Sequence, residues 1–338
     1  MNEPYNNMDY FENIEGISKE VYYHYTSLES LYSIVTSKTF RLTSLKSSND
    51  KKEFCYSPDE FLIDFSKVCI DEGEDTKKFF QQINKSIEVN KASFYKLCRV
   101  KSRPYALCLS EKKDNLTHWD RYANGCSGVC IGFNTSSLRV YMQRMSSLSF
   151  GIGLYDIEKI IYASKQKISY IQNELTHILS ILCHHRLLED MVIEKYIQEN
   201  GYMYASLIFR QLMKFSKDSS FIDEDEVRLY HDATSIKDGL HLLELLASSE
   251  NSKLYRTLKK NFSSLVNQLQ IEEEKFFVAK NGIRSYRNLC LQEIWGAGTI
   301  PEIILGPMCI QSKNELRFFL NSNGLKGTKV SVSKVPIR

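Results

Sequence analysis

The chain lacks most of the features that would announce a compartment or a common nucleotide-binding fold. No run approaches the ~18 consecutive apolar residues of a spanning helix, so membrane insertion is not expected. Residues 1–20 are polar, with acidic residues scattered through them, and no basic flank leads into an apolar core. That argues against secretion, and the expected location is cytoplasmic. Charge of one sign is also scarce: 44 Lys and Arg against 41 Asp and Glu leave a formal +3. So small a total does not by itself mark a nucleic-acid or membrane surface. There is no P-loop, no G-x-G-x-x-G between a strand and a helix, no internal repeat and no low-complexity segment.

The nine cysteines are odd in number, and most sit in apolar company, as in Leu97-Cys98, Leu107-Cys108-Leu109 and Met308-Cys309-Ile310. In a cytosolic chain they read as reduced, small hydrophobes. Cys126-x-x-x-Cys130 has no second pair at zinc-finger spacing, and His184-His185 point apart on an expected helix. No metal is expected.

Core material is plentiful: 43% of residues are hydrophobic, with 20 Tyr and 18 Phe. The pattern reads as one elaborated α+β domain over 1–338, a mixed, largely antiparallel sheet with helical insertions at about 165–215 and 240–275. Expected strands lie at Arg103–Ser110, Gly128–Phe133, Leu154–Tyr162, Phe221–Tyr230, Ile300–Gly306 and Lys329–Ile337. Pro58–Asn90 reads as helical, with Phe61, Leu62, Phe65, Val68 and Cys69 as its apolar stripe.

The most informative block is Tyr22-Tyr23-His24-Tyr25-Thr26-Ser27, a short aromatic strand followed at once by a helix. Thr26-Ser27-Leu28-Glu29 has the form of a capping box with Thr26 as cap. Leu28, Leu31, Tyr32 and Val35 then fall on one helical face. His24 is thereby expected at a strand end beside a helix N-terminus, an arrangement that suits phosphates. Asn49, Asp50 and Glu53 follow in a polar loop. Trp119 and Tyr122 lie at i, i+3 on a short helix and serve either a core or a pocket for a planar ring.

Three sets of blocks carry a family resemblance. They are His24-Tyr25-Thr26-Ser27 with Asn49-Asp50-x-x-Glu53; Cys108-Leu109-Ser110-Glu111 through Trp119-x-x-Tyr122-Ala123 to Gly128–Phe133; and Glu224–Leu229 with Ile303–Pro307 and Val335–Arg338. Together they resemble the bacterial family of unknown function DUF2971, which is associated with defence and abortive-infection loci. More loosely, a strand ending in His-Tyr-Thr with a distant Glu-x-Glu is similar to the ADP-ribosyltransferases, including DNA-modifying toxins. That likeness implies an NAD-consuming toxin or defence effector. NAD would be the substrate, no metal is needed, and the acceptor is nucleic acid, protein or water. A neutralising or defence-system partner would accompany it.

On this resemblance Glu226 engages the ribose and Glu224 supports it, or the reverse. His24, Tyr25, Thr26, Asn49, Asp50, Trp119, Tyr122 and Arg228 would bind the dinucleotide. Strand alternation over Phe221–Tyr230 puts Glu224, Glu226 and Arg228 on one face and Phe221, Val227 and Leu229 on the other. The two carboxylates would then lie roughly 7 Å apart, from the ~3.3 Å rise per residue. Two other readings stand beside this one: a non-catalytic nucleotide-sensing module that docks a partner, and a metal-dependent nuclease using Asp50, Glu53, Glu224 and Glu226.

Overall fold

A computed structural model describes residues 21–47, 56–68, 74–99, 104–139, 155–184, 190–232, 274–279 and 282–336. The expected helix over 240–274, the acidic loop with Asn49, Asp50 and Glu53, and Ile337 and Arg338 all lie outside these residues, Glu274 excepted. The α+β expectation holds. A ten-stranded, mainly antiparallel sheet forms the centre.

Strand β1 (Val21–Thr26) is followed by helix α1 (Leu28–Ser37) and β2 (Thr39–Ser44). The cap of α1 is Ser27, not Thr26: the Ser27 side chain accepts from the Ser30 amide at 3.1 Å while Thr26 is still paired with Val129 in the sheet. The helix begins at Leu28, so the extended residue immediately before it, Ser27, takes the cap one place along from the expectation. Leu31, Ile34 and Val35 form the buried face of α1. Tyr32, expected among them, is 62% exposed and stacks on Phe319.

Three further helices, α2 (Pro58–Ser66), α3 (Glu74–Val89) and α4 (Lys91–Cys98), lead to β3 (Pro104–Ser110). Then come α5 (Leu116–Tyr122), β4 (Val129–Asn134), β5 (Tyr155–Lys159), α6 (Ser164–His184), α7 (Asp190–Phe215) and β6 (Glu226–Asp232). A hairpin of β7 (Lys275–Ala279) and β8 (Gly282–Cys290) follows, and β9 (Glu302–Leu305), α8 (Lys313–Ser322) and β10 (Lys329–Val332) close the chain.

Two large cores result. Leu107, Ile131, Val227, Leu229 and Ile303 lie among the buried residues packed under the sheet. Phe61, Phe94, Ile171, Leu175 and Phe209 bury the helices α2–α4 against the insertion α6–α7. Among the described residues no helix is long and apolar enough to cross a membrane.

The sheet is unusual at β3. One edge of β3 pairs with β6 along its whole length, from Pro104↔Asp232 to Ser110↔Glu226. The other edge is shared: β2 takes Tyr105 and Ala106, and β1 takes only Ser110. Strands β1 and β2 therefore diverge along that edge, and the ladder is open between Ala106 and Ser110. A backbone carbonyl left there needs another partner. His24 supplies it, with Nδ1 2.9 Å from the Cys108 carbonyl oxygen.

Candidate functional site

A cavity of about 540 Å3 opens where the ladder parts, within the ~300–1,000 Å3 range of small-molecule sites. β1 lends Tyr23, His24 and Tyr25; β2 lends Thr43 and Ser44; β3 lends Ala106, Cys108, Leu109 and Ser110. Helix α5 adds His118, Arg121 and Tyr122, and β8 adds Arg284. The segment after α7 brings Lys217, Phe221, Glu224 and Glu226. Three cations and two carboxylates thus line one hollow.

The carboxylates do not arrive as an alternating strand would bring them. Ser219–Glu224 is a 3-10 turn capped by Asp218, whose side chain accepts from the Ser220 amide. Asp225 then takes a left-handed φ of 39°, and β6 begins only at Glu226. The period-2 expectation for Phe221–Glu224 fails because this turn interrupts it. Phe221, expected on the opposite face, instead turns into the cavity with its ring 4.7 Å from the Lys217 ammonium.

Lys217 gathers the two glutamates. Its Nζ donates to Glu224 Oε2 at 2.7 Å and to Glu226 Oε2 at 2.9 Å. Behind Glu226, the buried Arg228 donates from Nε and Nη2 to Oε1 at 3.0 and 2.9 Å. Burial alone would raise the Glu226 carboxyl, but Arg228 and Lys217 outweigh it and hold it at about 2. Burial likewise disfavours the Lys217 ammonium, and Glu226 and Glu224 reverse that, so its pKa is raised. Glu226 and Lys217 are therefore both charged at neutral pH.

The remaining capacity of the two carboxylates differs. Glu226 receives two bonds from Arg228 on Oε1 and one from Lys217 on Oε2, so three of the usual four acceptor sites of a carboxylate are taken. Glu224 receives one bond on each oxygen, from Lys217 and from the Tyr122 hydroxyl at 2.5 Å. It can accept more.

Helix α5 is fixed from several sides. Asn115 caps it by accepting from the His118 amide. The Tyr25 hydroxyl accepts from the Asn115 amide at 2.9 Å and donates to the Lys112 carbonyl at 2.8 Å. Trp119 is fully buried, edge-on to Tyr25, and donates to Asp114 at 2.8 Å. His118 places Nδ1 3.0 Å from Asn115 Oδ1 and Nε2 3.1 Å from the Glu224 carbonyl. Burial lowers its pKa, opposed by that carbonyl bond, and burial likewise lowers that of His24. A carbonyl can only accept, so His24 Nδ1 carries the proton and Nε2 is left as an acceptor.

Cys108 opens onto the cavity, yet burial, and then the Glu226 carboxylate, push its thiol well above the ordinary range. The thiol stays protonated and is a poor nucleophile.

Of the residues singled out in the sequence, His24, Tyr25, Tyr122, Glu224 and Glu226 meet in the cavity. Thr26, Trp119 and Arg228 do not line it: Thr26 ends the ladder, Trp119 is core, and Arg228 lies behind Glu226. Lys217, Arg121 and Arg284 were not anticipated. Lys217 follows a long helix with no local pattern to mark it. Among the described residues no group of three His, Cys, Asp or Glu could hold a metal.

Residues 118–229 match the family model described as a protein of unknown function, DUF2971. That stretch contains Tyr122, Lys217, Glu224 and Glu226 but not His24. Comparison with curated proteins and with solved structures finds no match to the chain.

Proposed function

We propose that the protein is an NAD-consuming enzyme of ADP-ribosyltransferase type that cleaves the nicotinamide–ribose bond, acting as a toxin or defence effector. The observation that carries this reading is the meeting of His24, Tyr122 and Glu224 in one cavity although they are far apart in the chain. Its cationic excess favours the pyrophosphate of a dinucleotide, with Arg121 and Arg284 the cations not committed to a carboxylate among the described residues.

In this reaction the bond from ribose C1′ to the nicotinamide nitrogen breaks, and its electron pair leaves with the base. The sugar passes through an oxocarbenium-like centre, which an acceptor oxygen or nitrogen attacks with loss of its proton. Glu224, with open lone pairs, accepts from a ribose hydroxyl and opposes the positive charge. Glu226 is largely taken up by Arg228 and Lys217 and acts through Lys217, which it holds in place against Glu224. His24 Nε2 accepts from the other ribose. The rings of Tyr122 and Phe221 offer faces for nicotinamide.

Purified protein incubated with NAD and cell extract should release nicotinamide, and Glu224→Gln should abolish release while the fold survives. Absence of release with every extract, from infected and uninfected cells alike, overturns the reading. The nuclease alternative is weakened by Lys217, whose ammonium occupies the position between the carboxylates that a cation would take.

A further inference from the structure

We propose that the half-sheet β2–β8–β7, running outward from the cavity, binds single-stranded nucleic acid. The three strands carry four Lys or Arg (Arg41, Lys275, Arg284 and Arg287) and no Asp or Glu. The sheet register sorts them. Arg41 pairs across from Asn288, Thr43 from Tyr286, Lys275 from Tyr286, and Phe277 from Arg284. Because side chains alternate along each strand, Arg41, Thr43, Arg284, Tyr286, Lys275 and Phe277 share one face, while Arg287 lies on the other. Thr43 and Arg284 line the cavity, so this face is continuous with it.

The chemistry of the face is that of a strand-binding platform. The exposed Arg41 guanidinium lies 4.3 Å from the Tyr286 ring centroid and 4.8 Å from that of Phe277. The two rings meet edge to face at 5.7 Å. Arg41 and Arg284 form no hydrogen bond or ion pair among the described residues. Cations without intervening carboxylates track a phosphodiester backbone, and rings or guanidinium planes stack on unpaired bases. A duplex keeps its bases stacked on each other and gains nothing from the rings. The overall charge conceals this face because acidic residues elsewhere in the chain offset it.

The test needs no NAD, so its failure leaves the catalytic reading untouched. The full chain is titrated against fluorescein-labelled dodecamers of oligo-dT, oligo-U and a duplex of the same length, followed by anisotropy. Either single strand should bind at 50 mM salt, with affinity falling at a log–log slope of about −1.4 for the two phosphate contacts of Arg41 and Arg284. Arg41→Gln and Phe277→Ala should each weaken binding about tenfold, from the loss of one stacking or charge contact. Arg41→Lys should fall between, since it keeps charge without the plane. Tyr32→Ala, at the α1–α8 contact, should bind as wild type does. Thermal melting confirms that each variant folds. No binding of either strand, equal binding by the Arg41→Gln and Phe277→Ala variants, or equally tight binding of the duplex overturns the proposal.

Discussion

The Tyr122 hydroxyl donates to Glu224 Oε1 across 2.5 Å, joining a short helix to a turn 102 residues further along the chain. Both residues border the cavity, and the bond leaves each Glu224 oxygen with spare accepting capacity. Tyr122→Phe removes one donor from a partly open site. Nicotinamide release should fall about tenfold, the effect of roughly 1.4 kcal/mol in transition-state stabilisation. Stability should change little, which thermal melting measures.

The two glutamates should separate in a paired experiment. Glu226→Ala strips the buried Arg228 guanidinium of its carboxylate and should cost about 3–5 kcal/mol of stability. Glu224→Gln keeps the side chain's shape and its bond to Tyr122, so it should abolish turnover with a much smaller loss in denaturant midpoint. Equal stability losses would mean that Glu224 is as structural as Glu226.

Acid should unfold the protein partly through Glu226. Its carboxyl is held at about 2 in the folded chain against an ordinary 4.5. Folding therefore lowers this pKa, so the contribution is complete above about pH 4.5 and is lost as pH falls towards 2. Its size is on the order of 3 kcal/mol. Urea denaturation from pH 6 down to pH 2 should show that decline, and Glu226→Gln should flatten it.

Cys108 should behave as an accessible but sluggish thiol. At pH 8 it should react with iodoacetamide much more slowly than a free cysteine, because burial and the neighbouring Glu226 disfavour the thiolate. Mass spectrometry of the alkylated peptide measures the rate, and a ligand filling the cavity should slow it further.

Gly128 holds the turn between α5 and β4 against the end of β1. A Cβ there would stand 2.2 Å from the Thr26 carbonyl oxygen and 2.9 Å from that of Ala123, both rigid backbone atoms. Gly128→Ala should destabilise the fold by about 3 kcal/mol or more, the upper end of overpacking costs, because neither backbone atom can move aside cheaply. Expression and melting of the variant check this.

Much of the frame was legible in the sequence because the local signals agreed with the final contacts. The apolar run before Ser110, the short helix that carries Trp119 and Tyr122, and the short strand after Gly128 each fold as their own residues dictate. The insertion at 165–215 declared itself through its helical period and appears as α6 and α7. Hairpin β7–β8 was missed, and its composition explains why: Phe276, Val278 and Ile283 are largely exposed, so apolar residues do not mark an inner face. Glu224 was placed on a strand because nothing local announces the left-handed Asp225. Arg228 is expected from the sequence to bind the dinucleotide, yet it is buried behind Glu226, its donors met by that carboxylate and the Lys214 carbonyl, partners fixed only by tertiary packing.

The parting of β1 and β2 along a shared edge makes the floor of the hollow a property of main-chain geometry, while helix α5 and the turn after α7 supply its rim. The floor persists when the rim changes, since ladders pin it on either side. Divergent sequences built on this frame can therefore keep the same chamber while exchanging the side chains that decide what enters.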